Sequence, residues 1–183
     1  MRLSLSLFLC LLFVSALPGQ EIFSPKDPGE TPNRNYDVLH YKIEIKLDDT
    51  AKSVTGRVTT TFVPLFPALK TVVFDAGDMN IKSVKDAKGR DLKFTSSTSD
   101  VSIELDKPHS FRDTLQVTIE YSCKPKQGLT FNNTDGAIKG KRPQIWSQGE
   151  DTTNHFWFPC YDYPNDKSTS EVIGTVNEKY SLL

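Results

Sequence analysis

Histidine is scarce in this chain, and its placement excludes the most familiar metal chemistry. The three histidines, His40, His109 and His155, are too far apart for any two to share a helical turn, and none is followed by Glu. A zinc site of the His-Glu-x-x-His kind needs two imidazoles one turn apart, so it has no candidate here. Cysteine is equally sparse. Of the 3 present, Cys10 lies in the leading apolar run, and neither Cys123 nor Cys160 belongs to a Cys-x-x-Cys pair. A structural zinc knuckle is therefore unsupported, and Cys123 and Cys160 remain candidates for a disulfide whose distance no spacing can set. No Gly-x-Ser-x-Gly is present, which removes the nucleophile elbow. Residues 136–142 have the wrong spacing for a phosphate loop and end in Arg142 where Ser or Thr is needed, so they read as a turn. No fixed-period repeat and no sustained apolar period of 3.6 residues occurs.

Charge of either sign is also without excess. Lys+Arg number 22 against 23 Asp+Glu, a net charge of −1. Nucleic acid and anionic membrane surfaces are poor partners for such a chain. The long apolar run at residues 3–17 follows Met1-Arg2 and has Val14-Ser15-Ala16 near its end, the pattern of a secretory signal. It is shorter than the roughly 20 residues of a bilayer span. Loss of Arg2 with that signal leaves 21 cations against 23 acids, a net charge of −2. The expected organisation is a signal peptide over residues 1–19, a flexible Pro-rich leader over residues 20–35, and one domain over residues 36–183. The expected location is secreted or periplasmic, with no membrane contact beyond the signal segment.

What is present in quantity is short-range alternation. Tyr41, Ile43, Ile45 and Leu47 alternate with Lys42, Glu44, Lys46 and Asp48, which predicts a half-buried strand. Residues 48–52 read as a turn, and Val54, Gly56, Val58, Thr60 and Phe62 line one face of a second strand, completing a hairpin. Further short runs at residues 71–74, 80–85, 91–95, 101–105 and 114–121 are separated by Gly, Ser and Pro signals. Residues 171–176 read as a returning strand. The fold expected is all-β, an antiparallel β-sandwich or pair of saddle-shaped sheets, because the gaps are too short for crossover helices. Residues 123–145 read as a loop region.

The densest chemistry lies in residues 146–167. There Gln148-Gly149-Glu150 precedes Phe156-Trp157-Phe158-Pro159-Cys160-Tyr161-Asp162-Tyr163-Pro164, with Lys167 beyond. This multi-position pattern resembles the end of the N-terminal β domain of zinc aminopeptidases of the aminopeptidase N family, and the resemblance extends upstream to about Tyr36. It implies that Glu150 supplies an acidic contact to the amino terminus of a peptide substrate and that Gln148 lines the first side-chain pocket. It also implies zinc in the full-length enzyme, none bound by this chain, and a catalytic domain as partner. The family's Gly-Ala-Met-Glu-Asn and His-Glu-x-x-His elements are both absent here. The chain is accordingly expected to be a truncated portion, with no catalytic residues of its own and inactive alone.

The small Gly149 would let the backbone approach a ligand closely. Phe156, Trp157 and Phe158 read as anchors that fix the loop, Pro159 and Pro164 as turn formers, and Asp162 and Lys167 as turn caps or partners of one another. Asn154-His155 stands where the family often has Arg. His155, Cys160 and Asp162 lack the rhythm of metal ligands, and Asn132-Asn133-Thr134 fits a glycosylation acceptor. The alternative to the aminopeptidase reading is a non-catalytic secreted β-sandwich module that binds a partner.

Overall fold

A computed structural model describes residues 34–181. The expected signal peptide, and all of the expected leader except Arg34 and Asn35, lie outside the described residues.

Among the described residues ten strands follow one another, with a 3-10 turn at Asn154–Phe156 before the last. Strands β1 (Tyr36–Asp48), β2 (Ser53–Pro64), β4 (Asn80–Asp86), β7 (Leu115–Cys123) and β10 (Thr169–Thr175) form a five-stranded sheet in the order β10-β1-β2-β7-β4. Strands β3 (Leu69–Asp75), β5 (Phe94–Ser96) and β6 (Asp100–His109) form a second sheet in the order β3-β6-β5. A small third sheet pairs β8 (Leu129–Asn132) with β9 (Gln144–Ser147). No α-helix occurs among the described residues, and the chain is all-β as its alternation predicts.

The predicted first hairpin forms, and its turn has a local cause. The Asp48 carboxylate accepts the Thr50 and Ala51 N–H groups at 3.0 and 2.8 Å, an Asx turn that reverses the chain. Along β1 the inward face changes phase. Tyr36 and Val38 are buried, then Tyr41, Ile43 and Ile45, and the switch coincides with a register shift between Val38 and His40. A bulge adds one residue to the strand, so every later side chain changes face. Leu39 at that point is left 41% exposed. On β2, Gly56 faces Tyr121 of β7, and a Cβ at position 56 would lie 2.6 Å from the Tyr121 ring. Glycine here makes room for the fully buried tyrosine.

Edge-to-face aromatic contacts tie the two larger sheets together. Phe62 of β2 packs against Tyr36 of β1 at 5.5 Å and Phe74 of β3 at 6.1 Å between ring centroids. Tyr36 also meets Phe74 at 5.3 Å and Tyr161 at 6.0 Å, bringing residues of the 146–167 segment onto the same cluster.

Two expectations need correction. Pairing is not antiparallel throughout, because β10 runs parallel to β1, from His40 opposite Thr169 to Lys46 opposite Thr175. His40 and Thr169 are 129 positions apart, so most of the domain serves as the connection and no crossover helix is required. The loop region after Cys123 contains a hairpin, in which Thr130 faces Trp146 and Phe131 faces Ile145. Its strands are four residues each, too short for alternation to announce. The pairing of Cys123 and Cys160, left open by the sequence, does not form: both are free and buried. Burial pushes the Cys123 thiol up to about 12 and the Cys160 thiol well above its ordinary value, which keeps both protonated and unreactive.

Candidate functional site

The β8–β9 hairpin delivers Gln148, Gly149 and Glu150 directly from its second strand. The Gln148 N–H continues the ladder by donating to Gly128 O at 2.8 Å. The next turn folds back on the triplet: Thr153 Oγ1 donates to Gln148 O at 2.8 Å, and the Thr153 N–H donates to Gly149 O at 3.2 Å. Gly128 has a φ of +76° and abuts the Thr153 carbonyl, so this packing requires glycine both for conformation and for space. Asn154 completes the frame by accepting a hydrogen bond from Trp157 Nε1 at 3.2 Å. The Trp157 carbonyl in turn accepts the Tyr121 hydroxyl at 2.8 Å, which links the frame to the C-terminal part of β7.

The role expected of Gly149 changes in this setting. A Cβ at position 149 would overlap the Asn154 side chain, with Asn154 Cγ only 2.6 Å away. Glycine is needed to seat the asparagine that braces the triplet. Gly149→Ala is expected to displace Asn154 and to cost about 1–3 kcal/mol, the usual range for overpacking. In a ¹H–¹⁵N spectrum the Trp157 indole signal would move; an unmoved signal would rule out this coupling.

A second chain of hydrogen bonds fixes the remainder of the segment. Asp162, with its side chain 6% exposed, accepts the His155 backbone N–H at 2.9 Å and its Nδ1 at 2.7 Å. The Asp162 N–H donates to Asp75 Oδ2 at 2.9 Å, and Asp75 also bridges to Cys160 through paired backbone bonds. Burial holds the Asp75 carboxyl above the usual carboxylate range. Of the two roles expected of Asp162, capping a turn or pairing with Lys167, the structure shows the first, with His155 as its partner. Asp166 secures the far end by accepting the Val38 N–H at 3.0 Å and pairing with Arg34 Nη1 at 2.6 Å. Trp157 and Phe158 are buried, as anchors should be, and Phe156 packs over Gly77.

Between this segment and the β1–β10 edge lies a cleft of about 420 Å³, walled by Tyr41, Asp151, Trp157, Phe158, Tyr161 and Asp162 among others. Ser147 also lines it, whereas Gln148 and Glu150 do not. Those two side chains stand exposed beside it, with Gln148 Nε2 3.5 Å from Glu150 Oε2. The arrangement presents an exposed carboxylate and an amide on a backbone braced from three sides. Such a carboxylate can accept charge-assisted hydrogen bonds from an ammonium group.

Among the described residues the imidazole nitrogens face other partners rather than one another. His155 Nδ1 is held by Asp162, both His109 ring nitrogens face Asp106 and Asp113 at 2.9 and 3.2 Å, and His40 Nδ1 faces Thr169 Oγ1 at 2.8 Å. Among the described residues no group of three or more His, Cys, Asp or Glu side chains is arranged to hold a metal ion. The frame residues Gly128, Thr153 and Asn154 were not legible in sequence, since each acts through a contact between separate loops.

Residues 37–183 match the Peptidase M1 N-terminal domain. Among curated proteins, the chain is similar to leukotriene A-4 hydrolase of Xenopus laevis, 26% identical over 73% of this chain and 23% of that protein. It is also similar to leucine aminopeptidase 2 of Kluyveromyces lactis, 24% identical over 84% of this chain and 25% of that protein. Among solved structures, the M1 zinc metallopeptidase from Deinococcus radiodurans superposes with a TM-score of 0.64 at 22% identity, covering 80% of this chain and 33% of that one. The chain spans about a quarter of the length of the curated relatives it matches.

Proposed function

Since the chain belongs to the M1 peptidase family through that family's N-terminal domain, we propose that it is the substrate-positioning domain of a zinc-dependent aminopeptidase. The observation that carries this reading is the braced Gln148-Gly149-Glu150 triplet, held by Thr153 at the Gln148 and Gly149 carbonyls and exposed at its carboxylate. The α-amino group of a peptide has a pKa near 8 and is mostly ammonium at neutral pH. Glu150 binds that ammonium, and Gln148 borders the first side chain of the substrate. Recognition of a charged chain end selects terminal over internal peptide bonds.

Solved relatives in the family are zinc metallopeptidases. Zinc, when held by a catalytic domain of the family, polarises the scissile carbonyl and activates water. This chain's residues take no part in that step; they fix where the substrate begins. The proposal places the protein outside the cytoplasm, by way of the apolar run at residues 3–17, and makes the catalytic domain its partner.

The non-catalytic reading draws support from the position of Glu150, whose side chain is exposed and contributes nothing to the wall of the neighbouring cleft. Turnover separates the two readings. The 183-residue chain with zinc should leave aminoacyl-arylamide substrates intact, whereas the chain joined to an M1 catalytic domain should release the arylamine. Absence of release from the joined protein, when its zinc is bound, would favour the binding module. Turnover by the chain alone would overturn both readings.

A further inference from the structure

The β8–β9 hairpin carries a motif that the proposed peptide contact does not use. Asn132-Asn133-Thr134 has the Asn-x-Thr form of an N-glycosylation acceptor with a residue other than Pro in the middle, and no other Asn is followed two positions on by Ser or Thr. Asn132 is the last residue of β8 and stands opposite Gln144 of β9, where the hairpin begins its turn. Leu129, Phe131 and Ile145 pack on the core, so alternation turns Thr130, Asn132, Gln144 and Trp146 outward. Burial agrees with that placement: Asn132 is partly exposed, and Thr130, Gln144 and Trp146 are exposed.

Two side chains beside Asn132 are not explained by the fold. Thr134 Oγ1 is buried and has no hydrogen-bond partner among the described residues. An unpaired buried hydroxyl costs about 1–3 kcal/mol, and Val would fill the same space without it. Asn133 shows what a residue serving this turn does: at a φ of +51° its side chain accepts the Ile138 N–H at 2.8 Å and donates to Ile138 O at 3.1 Å and to Lys141 O at 2.6 Å. Trp146 is the second case. Its ring is 47% exposed and, facing Thr130, it is the diagonal neighbour of Asn132 on the outward face, a spacing of about 7–8 Å that an aromatic side chain spans. From these observations we propose that Asn132 carries an N-linked oligosaccharide whose first sugar covers the Trp146 ring. The proposal rests on the location outside the cytoplasm given above.

In the transfer, Asn132 Nδ2 forms a bond to the anomeric carbon of an oligosaccharide carried on an isoprenoid diphosphate. The bond from that carbon to the diphosphate oxygen breaks, the diphosphate leaves with the electron pair, and the amide nitrogen gives up one proton. The Thr134 hydroxyl is the group that the motif requires two positions beyond the acceptor. Since the folded hairpin buries this hydroxyl, the transfer precedes closure of the turn. After closure the sugar C–H groups lie on the Trp146 ring, and the bulky polar chain stays in solvent.

The test expresses the 183-residue chain in cultured mammalian cells and follows it on gels before and after peptide-N-glycosidase F. Chain from the medium should gain mobility on digestion, with Asn132 deamidated in the peptide map. Asn132→Gln and Thr134→Val should each abolish the gain, and Thr134→Ser should keep it. Of the two tryptophans Trp157 is buried, so acrylamide quenching reads Trp146 and should rise when the sugar is released. Chain that reaches the medium unglycosylated, or a mobility gain that survives Asn132→Gln, overturns the site and leaves the location standing. Chain kept in the cytosol overturns the location and the site with it. Quenching that release does not change overturns the contact with Trp146.

Discussion

Phe62→Ala should remove about 3–5 kcal/mol of stability, the range for truncating a fully buried Phe. Phe62 is 0% exposed and stands between Tyr36 and Phe74, so the substitution opens a cavity where the five-stranded sheet meets the three-stranded one. A domain of this size has about 5–15 kcal/mol in total, so the variant gives up between about a fifth and all of it. With a urea slope of about 1–3 kcal/mol per molar, its midpoint should fall by at least about 1 M. Phe62→Leu keeps most of the volume and should cost under about 2 kcal/mol. Equal losses for Ala and Leu would show that the edge-to-face ring contacts, rather than filled space, are what Phe62 contributes. A midpoint unchanged by Ala would mean that the sheets do not meet through this cluster.

The second large effect concerns the proposed substrate contact. In an assembled aminopeptidase, Glu150→Gln should lower kcat/KM by about 10- to 100-fold, with most of the change in KM. Gln has the size of Glu and can still accept a hydrogen bond, so what is lost is the charge. A hydrogen bond to a charged group contributes about 1.5–3 kcal/mol, and each 1.4 kcal/mol is tenfold. The KM of the parent should rise as pH passes about 8, where the substrate amine loses its proton. The variant should lose most of that rise. Kinetics unchanged by the substitution would defeat the role given to Glu150, and a fall in kcat with KM intact would move that role from binding to the chemical step.

How far sequence could be read depended on whether the governing contact was local. The β1–β2 hairpin was legible because alternation marked both strands and Asp48 supplied the turn between them. Alternation also marked β7, and residues 171–176 read as a returning strand, but nothing local could state β10's direction, since that depends on where residues 129 positions away had already been placed. The β8–β9 hairpin escaped notice because four residues per strand carry too few alternations to count. The segment bearing Gln148 and Glu150 stood out by its composition, and the family comparison agrees with the resemblance those residues carry. The purpose of its glycine did not stand out, because the amide that excludes a Cβ at position 149 comes from Asn154 around a turn.

Alone, the sequence determined that the chain would be all-β, that its inward faces would be Val, Ile, Phe and Tyr, and which stretch would bear the recognition chemistry. Burying alternate side chains is a period-2 property that any strand records in its own order of residues. Only the tertiary structure decided that Asp162 holds His155 rather than Lys167, that Cys123 and Cys160 stay apart, and that Trp146 shares an outward face with Asn132. Those outcomes depend on distances between residues remote along the chain, which packing of the sheets sets and no local pattern encodes.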